Sequence, residues 1–581
     1  MNRRTFLKAS GSAAVLGALG LRAAGETAST PAKPKRDGAD LTVVDLIRAN
    51  DDRVPRLLEG QERRSGHRWI GGVPNEERIH NPHATSGLVS ALACASCAKE
   101  SRYFRAAELV EPLQLAVRYL LKVQHDDGTI DLYSTNFHST PDTAFVLETL
   151  CPAFALLQQA AWPAHAALRA DLRQFILQAA ESLVTGGVHT PNHRWVVSAA
   201  LAQVNALFPD PKYVARIDQW LAEKIDIDPD GQYTEKSTGT YSHIVDRALL
   251  TVARLLDRPA LYEPVRRNLE MTLYYVHPDG EVVTEASKRQ DKYTRGSMSG
   301  YYYSYRVLAQ RDGNGQFAAM ARQIERNAGT QLVRDLPAFL EEPELQRPLP
   351  ANAPLPVNYA RVFSHSGLAR IRRQDTSATI LSGNSTLFSL RKGPAALEAV
   401  RFASAFFGKG QFVAEQLEVR DGKYILRQSL EGPYFQPLST EQIARGEHVR
   451  MAPNGTLAVD SRAARVQSNI QKLESVVEII ERDGRFELKL TLTGTDRVPV
   501  AVELAFRHGG ELRGVEALKA KDTYLLTGGT GKYLFEGQQI EFGPGQAEHA
   551  WTQLRGAVPK WDGLSVYLTG FTPFTTTLKI A

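Results

Sequence analysis

Between residues 40 and 335 apolar side chains return every three or four positions, as in TAFVLETLCPAFALLQQA (143–160) and HIVDRALLTVARLL (243–256). That is the spacing of helices with one buried face. Beyond residue 358 the period falls towards two. KLESVVEIIE, RFELKLTLTG, PVAVELAFRH, LSVYLTG and TTTLKI alternate or are β-branched, with Asp-Gly, Gly-Gly and Pro-Gly turns between them. The stretch that separates the halves, RDLPAFLEEPELQRPLPANAPLPVN, is rich in proline and acid and reads as a linker over 336–358. The pattern predicts an α+β multidomain chain. A helical domain fills 26–335, and an antiparallel β-sheet, sandwich-like domain fills 359–581.

The helical half repeats. Helix starts fall near Thr85, Thr140, Thr190, Thr240 and Ser299, a period of roughly 50 to 60 residues. Two share a signature, His138-Ser139-Thr140-Pro141-Asp142 and His189-Thr190-Pro191-Asn192, in which threonine suits the N-cap and proline the first helical position. Turns at Asp127-Gly128, Asp230-Gly231 and Asp279-Gly280 precede several of them. One helical hairpin per repeat is the arrangement of an α/α toroid. If alternate helices form the inner layer, their starts open at one end. His138, Asn192, His193, Tyr241, His243 and the segment 288–303 then gather there.

Elimination beside a carboxylate needs that mixture of side chains. The carboxylate is neutralised so that its neighbouring carbon becomes acidic, a base takes the proton, and an acid protonates the departing glycosidic oxygen. Amide and imidazole N–H groups at a helix start suit the first task, where the positive end of the helix adds to them. Asn192 and His193 occupy such a start. A phenol suits the other two, because one group acts as base and then acid once a cation stabilises its deprotonated form. Tyr241 is the candidate, with His243, Lys288, Arg289 and Arg295 close in the repeat. Arg194 and Glu235 stand beside these residues and complete the expected substrate-binding set. Lys288-Arg289-Gln290-Asp291-Lys292-Tyr293-Thr294-Arg295 reads either as a solvated loop or as a subsite for acidic sugar. Tyr301, Tyr302, Tyr303 and Tyr305 read either as sugar-stacking rings or as a packed helix start.

Composition narrows the class. The chain has 581 residues, room for two or more domains, and its three cysteines cannot build a disulfide framework. Cys94-Ala-Ser-Cys97 lies in an alanine-rich helical stretch and reads as core. MNRRTFLKASGSAAVLGALGLRAAG resembles a twin-arginine signal peptide, through Arg3-Arg4, Phe6-Leu7-Lys8 and a short apolar run. Removing residues 1–25 takes away Arg3, Arg4, Lys8, Arg22 and no acid, so the net charge drops from +5 to about +1. Global charge therefore points to no nucleic-acid partner. The expected location is the periplasm or the exterior, with no membrane span in the mature chain. Asp226-Ile-Asp228-Pro-Asp230-Gly231 opens like a calcium loop, but its twelfth position is Ser237 rather than Glu. No cofactor is called for, and a divalent metal has no further support.

With these motifs in view, the chain resembles the heparinase II/III-like polysaccharide lyases. PNHRWVVSAAL is similar to the family's Asn-His helix start, DGQYTEKSTGTYSH to its Asp-Gly…Glu-x-Ser…Tyr-His segment, and FSHSGLARIRR to the first strand of its β domain. The resemblance implies an incomplete α/α toroid joined to an antiparallel β-sheet domain. It also implies cleavage of an acidic polysaccharide, with Tyr241 as base and acid and Asn192 or His193 neutralising the carboxylate. The chain departs from the pattern in the spacing of Ser237, Tyr241 and His243, and in lacking a His-rich segment near RKGPAALEAVRFASAFFGKG. His365 is a weak substitute there, and His138 is the better second imidazole. Two other readings compete. One is a toroid glycoside hydrolase using Asp142 with Glu235 or Asp246, and the other is a non-catalytic glycan-binding protein.

Overall fold

The computed structural model describes residues 40–446 and 462–581, so the signal-peptide reading of 1–25 lies outside the described residues. The chain divides into two compact units, residues 40–276 with 280–356 and residues 277–279 with 357–581.

The first unit is built of helical hairpins. Its helices are α1 (Val43–Gly60), α2 (Pro82–Cys97), α3 (Val110–Val123), α4 (Thr140–Ala160), α5 (Ala166–Thr185), α6 (Pro191–Leu207), α7 (Pro211–Ala222), α8 (Tyr241–Leu255), α9 (Tyr262–Thr272), α10 (Tyr302–Asp312), α11 (Gly315–Ala328) and α12 (Leu336–Glu341). Inner helices pack in series, α2 on α4, α4 on α6, α6 on α8 and α8 on α10, while α3, α5 and α7 form an outer row. Inner helices bury most of their residues, among them Leu147, Leu150, Trp195, Val196, Leu201, Leu249 and Val252. The aspartate-glycine turns set the hairpins. Gly128 and Gly231 adopt φ of +83° and +93°, and a Cβ would strike the outer-helix carbonyls of Gln178 at 2.1 Å and Arg267 at 2.5 Å. Only glycine fits a left-handed turn pressed that closely on a backbone.

The segment before α1 is tied to α11. Arg322 pairs with Asp40 at 2.5 Å. The Leu41 N–H donates to Glu325 Oε2 at 3.1 Å. Glu325 also accepts from Tyr302 at 2.7 Å and from buried Arg306 at 3.0 Å.

Helix starts differ from the expectation in detail. Asn81 rather than Thr85 caps α2, and Ser139 rather than Thr140 caps α4, each through its side chain. Thr190 and Thr240 occupy the cap positions of α6 and α8 but make no capping bond with their side chains. The Ser299 region is a short 3₁₀ turn, Met298–Tyr301, that leads into α10. The stretch expected as a linker over 336–358 is largely part of the helical unit. Leu336, Phe339, Leu345 and Leu349 are buried in its core, and Arg306 and Arg322 donate to the carbonyls of Leu345, Leu349 and Pro350. Proline prevents a long helix there, yet the leucines still have a core to fill.

The second unit stacks two sheets. One has ten strands, centred on Ala395–Ser404, Pro499–Phe506 and Leu564–Phe571; the other has eight, centred on Gln467–Arg482, Arg485–Gly494 and Phe574–Ile580. Neighbouring strands are antiparallel except Thr523–Leu525, which lies parallel to Leu564–Phe571. Period-two patterning puts alternate apolar residues between the sheets, where Phe388 meets Phe486 at 5.1 Å and Phe506 meets Phe542 at 4.8 Å.

Candidate active site

Two loops and two helix starts of the helical unit converge around Tyr241. Asn192 and His193 stand in the first turn of α6 and are buried. The backbone N–H of Asn192 donates to Glu235 Oε2 at 3.2 Å, and its amide Nδ2 donates to the same oxygen at 2.6 Å. Glu235 thus does the capping that Thr190 does not, with a carboxylate set at the positive end of a helix. Its other oxygen pairs with Arg289 at 3.0 Å. The Arg289 guanidinium in turn covers the Tyr241 ring, 4.9 Å from its centre. Gln290 donates to the Tyr241 hydroxyl. Asn192, Glu235, Arg289, Tyr241 and Gln290 form one connected chain of contacts, and Tyr241 itself is 3% exposed.

The electrostatics assign different parts to these groups. Burial raises the Glu235 carboxyl above its ordinary range, against the pull of Asn192 and Arg289. Burial, aided by His189 nearby, pushes the His193 imidazole down to about 4. At neutral pH His193 is therefore an uncharged donor, and the cation of the site is Arg289. Asn192 has both amide hydrogens engaged, by Glu235 and by Thr190 Oγ1 at 3.2 Å. Among the described residues its Oδ1 and the Nδ1 of His193 are buried without a hydrogen-bond partner.

The structure does not bring the other sequence candidates to Tyr241. His138 is exposed; its Nδ1 meets Asp127 at 2.7 Å and its ring stacks on His125 at 3.8 Å, in the hairpin before α4. His243 lies two residues along α8 from Tyr241, and positions so spaced do not share a helix face. Its ring packs on Tyr301 at 5.5 Å, and burial with Arg334 and Arg247 nearby pushes it down to about 3. Arg194 is taken up by Glu223 at 2.9 Å and Asp226 at 2.8 Å, which makes it a strut between α6 and the following loop. That pairing also occupies Asp226, the first position of the calcium-like loop. Tyr301 is wholly buried and donates to the Thr238 carbonyl at 2.7 Å; Tyr302, Tyr303 and Tyr305 are buried too, so no ring of this run is free to stack on a sugar. Lys288 and Arg295 are exposed, and Tyr293 sits partly buried under Lys292 at 5.0 Å. His365 is exposed in a turn between strands of the second unit.

The sequence reading gave no individual role to Gln290, which meets the phenol, or to Asp291, and it passed over His83 at the start of α2. His83 approaches buried Asp142 at 3.6 Å. The α2 start belongs to the same repeat, and a search of each repeat for polar residues would have found His83. The Cys94–Cys97 pair is core, and burial pushes the Cys97 thiol up to about 12. Among the described residues no group of three or more His, Cys, Asp or Glu side chains is placed to hold a metal ion.

No family model and no curated protein matches the chain. Solved structures do. The chain is similar to a heparinase III, at 12% identity over 95% of this chain and 85% of that one, with a TM-score of 0.56. It is similar to the Streptomyces coelicolor A3 chondroitin AC lyase, solved with chondroitin sulphate, at 13% identity over 95% and 80%, TM-score 0.55. A Paenibacillus xanthan lyase matches at 9% identity over 93% of this chain but 57% of its own length, TM-score 0.57. The fold is thus the helical toroid followed by an antiparallel β-sheet domain that these lyases share. Among the described residues no helix is long and apolar enough to cross a membrane.

Proposed function

We propose that the protein is a polysaccharide lyase that cleaves a uronic-acid glycan by β-elimination. The observation that carries this reading is the Tyr241 phenol, flanked by the Arg289 guanidinium and the Gln290 amide at the start of an inner helix. Both neighbours stabilise negative charge on the phenol oxygen. Tyr241 then takes the proton from the carbon beside the uronate carboxylate and returns it to the leaving glycosidic oxygen. Arg289 offers the carboxylate its positive charge and His193 offers an N–H, while Asn192, its amide hydrogens engaged by Glu235 and Thr190, holds Glu235 in place beside Arg289. Stabilising charge that builds on the carboxylate in the transition state is the larger part of the catalysis. The likeness to lyases of acidic polysaccharides supports the same substrate class.

A hydrolase would need two carboxyl groups facing one glycosidic bond. Asp246 is fully buried and accepts from Tyr233 at 2.8 Å, and Asp142 is enclosed by Ser139, Asn136 and His83. Neither is placed to serve.

The test is to incubate the protein, freed of residues 1–25, with glucuronan, alginate, glycosaminoglycans and a rhamnose-containing glucuronate. Elimination leaves a conjugated, unsaturated uronate that absorbs in the ultraviolet without added cofactor. Tyr241→Phe should remove that signal and keep the melting temperature. Full activity in the variant would rule out the role of Tyr241, and new reducing ends without absorbance would favour hydrolysis.

A further inference from the structure

We infer that Asp291 is a positioning residue whose carboxylate fastens the loop bearing Tyr241 to the loop bearing Arg289 and Gln290. The inference rests on the proposed role of Tyr241. Asp291 is 4% exposed. Its Oδ1 accepts from Ser237 Oγ at 3.0 Å and from Ser287 Oγ at 2.5 Å, and its Oδ2 accepts from the Gly239 N–H at 2.9 Å. Ser237 carries the connection onward, since its Oγ and its carbonyl both accept from the Tyr241 N–H at 3.1 Å. On the other side Arg289 and Gln290 directly precede Asp291, and Ser287 Oγ also accepts from the Arg289 N–H at 3.1 Å. One carboxylate therefore sets the register between a phenol and its two partners, which come from loops some fifty residues apart.

The chemistry of the donors explains why the residue is an acid. Two hydroxyls and one backbone N–H all point at it, and an ionised carboxylate is acceptor-only. An amide of the same shape would turn an NH₂ group towards one of those donors. The loop is also rich in cations, with Lys288, Arg289, Lys292 and Arg295, and of these Arg289 lies over the Tyr241 ring.

The experiment measures kcat and KM of Asp291→Asn on a uronate polymer that the wild type cleaves, per mole of folded protein. Amide hydrogen exchange at Gly239 and Tyr241 is followed in parallel. We expect kcat to fall by roughly tenfold to a hundredfold, the cost of a misplaced reacting group, with KM changed less than about twofold and exchange faster at Gly239. An unchanged kcat would overturn the inference. Should Asp291→Asn not fold, Ser287→Ala removes one strut and should lower kcat severalfold at constant KM; no change there overturns it as well. A wild type inactive on every uronate polymer would defeat the functional reading instead. The fastening itself is then judged by exchange alone, and unaltered exchange at Gly239 in the variant would defeat it.

Discussion

The guanidinium of Arg289 lies over the ring of Tyr241, 4.9 Å from its centre, and is held there by Glu235 at 3.0 Å. A planar cation is thereby fixed against a phenol at a helix start. Arg289→Ala should lower kcat by about 10²–10³, the range for removing one preorganised charge-stabilising donor. Arg289→Lys should restore only part of it, since lysine keeps the charge and loses the planar fork that meets Glu235. Initial rates of ultraviolet absorbance measure both. An Ala variant within a factor of two of wild type would remove Arg289 from the mechanism.

The imidazoles of His193 and His165 predict an acid-labile fold. Burial holds both at about 4, below the ordinary 6.5. In an unfolded chain they take up protons near pH 6.5, whereas the folded chain refuses them until about 4. The unfolded state thus binds more protons in that window, and stability falls as pH drops from about 6.5 to 4. Urea unfolding at steps across this range should show the decline, and His193→Gln should make it shallower. An identical slope in the variant would mean that His193 is not held neutral.

Arg306 is 2% exposed and depends on Glu325, which also receives Tyr302 and the Leu41 N–H. Glu325→Ala strands a buried guanidinium and should cost about 3–5 kcal/mol of stability. It also frees the segment before α1 from α11. The midpoint of urea unfolding measures the first effect, and protease sensitivity near residue 41 the second.

We further propose export by the twin-arginine route, on the Arg3-Arg4 leader. Replacing both arginines by lysine should leave the protein inside the cytoplasm of a host that exports the original chain. Cell fractionation followed by the lyase assay distinguishes the two. Equal export of both forms would point to another route.

Much of the architecture was legible because it is locally encoded. Apolar period separates the helical half from the sheet half, proline interrupts the chain at the junction, and aspartate-glycine turns mark the hairpins. Helix starts at 190 and 240 placed Asn192, His193 and Tyr241 at one end of the inner layer. Chain-local signals also misled. The leucines of 336–349 were hidden among prolines, and local pattern left Tyr301, Tyr302, Tyr303 and Tyr305 open between sugar-stacking rings and a packed helix start, of which the structure shows the second.

Periodicity and turn chemistry involve neighbours within a few residues, so the sequence alone determined the two folds, their order and roughly where the inner helices begin. It could not determine which side chains meet across loops. Glu235 capping α6, Gln290 reaching the phenol, Asp291 tying two loops, and His138 and His243 turning to other partners all depend on how successive hairpins pack. Those contacts join segments tens of residues apart, and only the tertiary structure brings them within hydrogen-bonding distance.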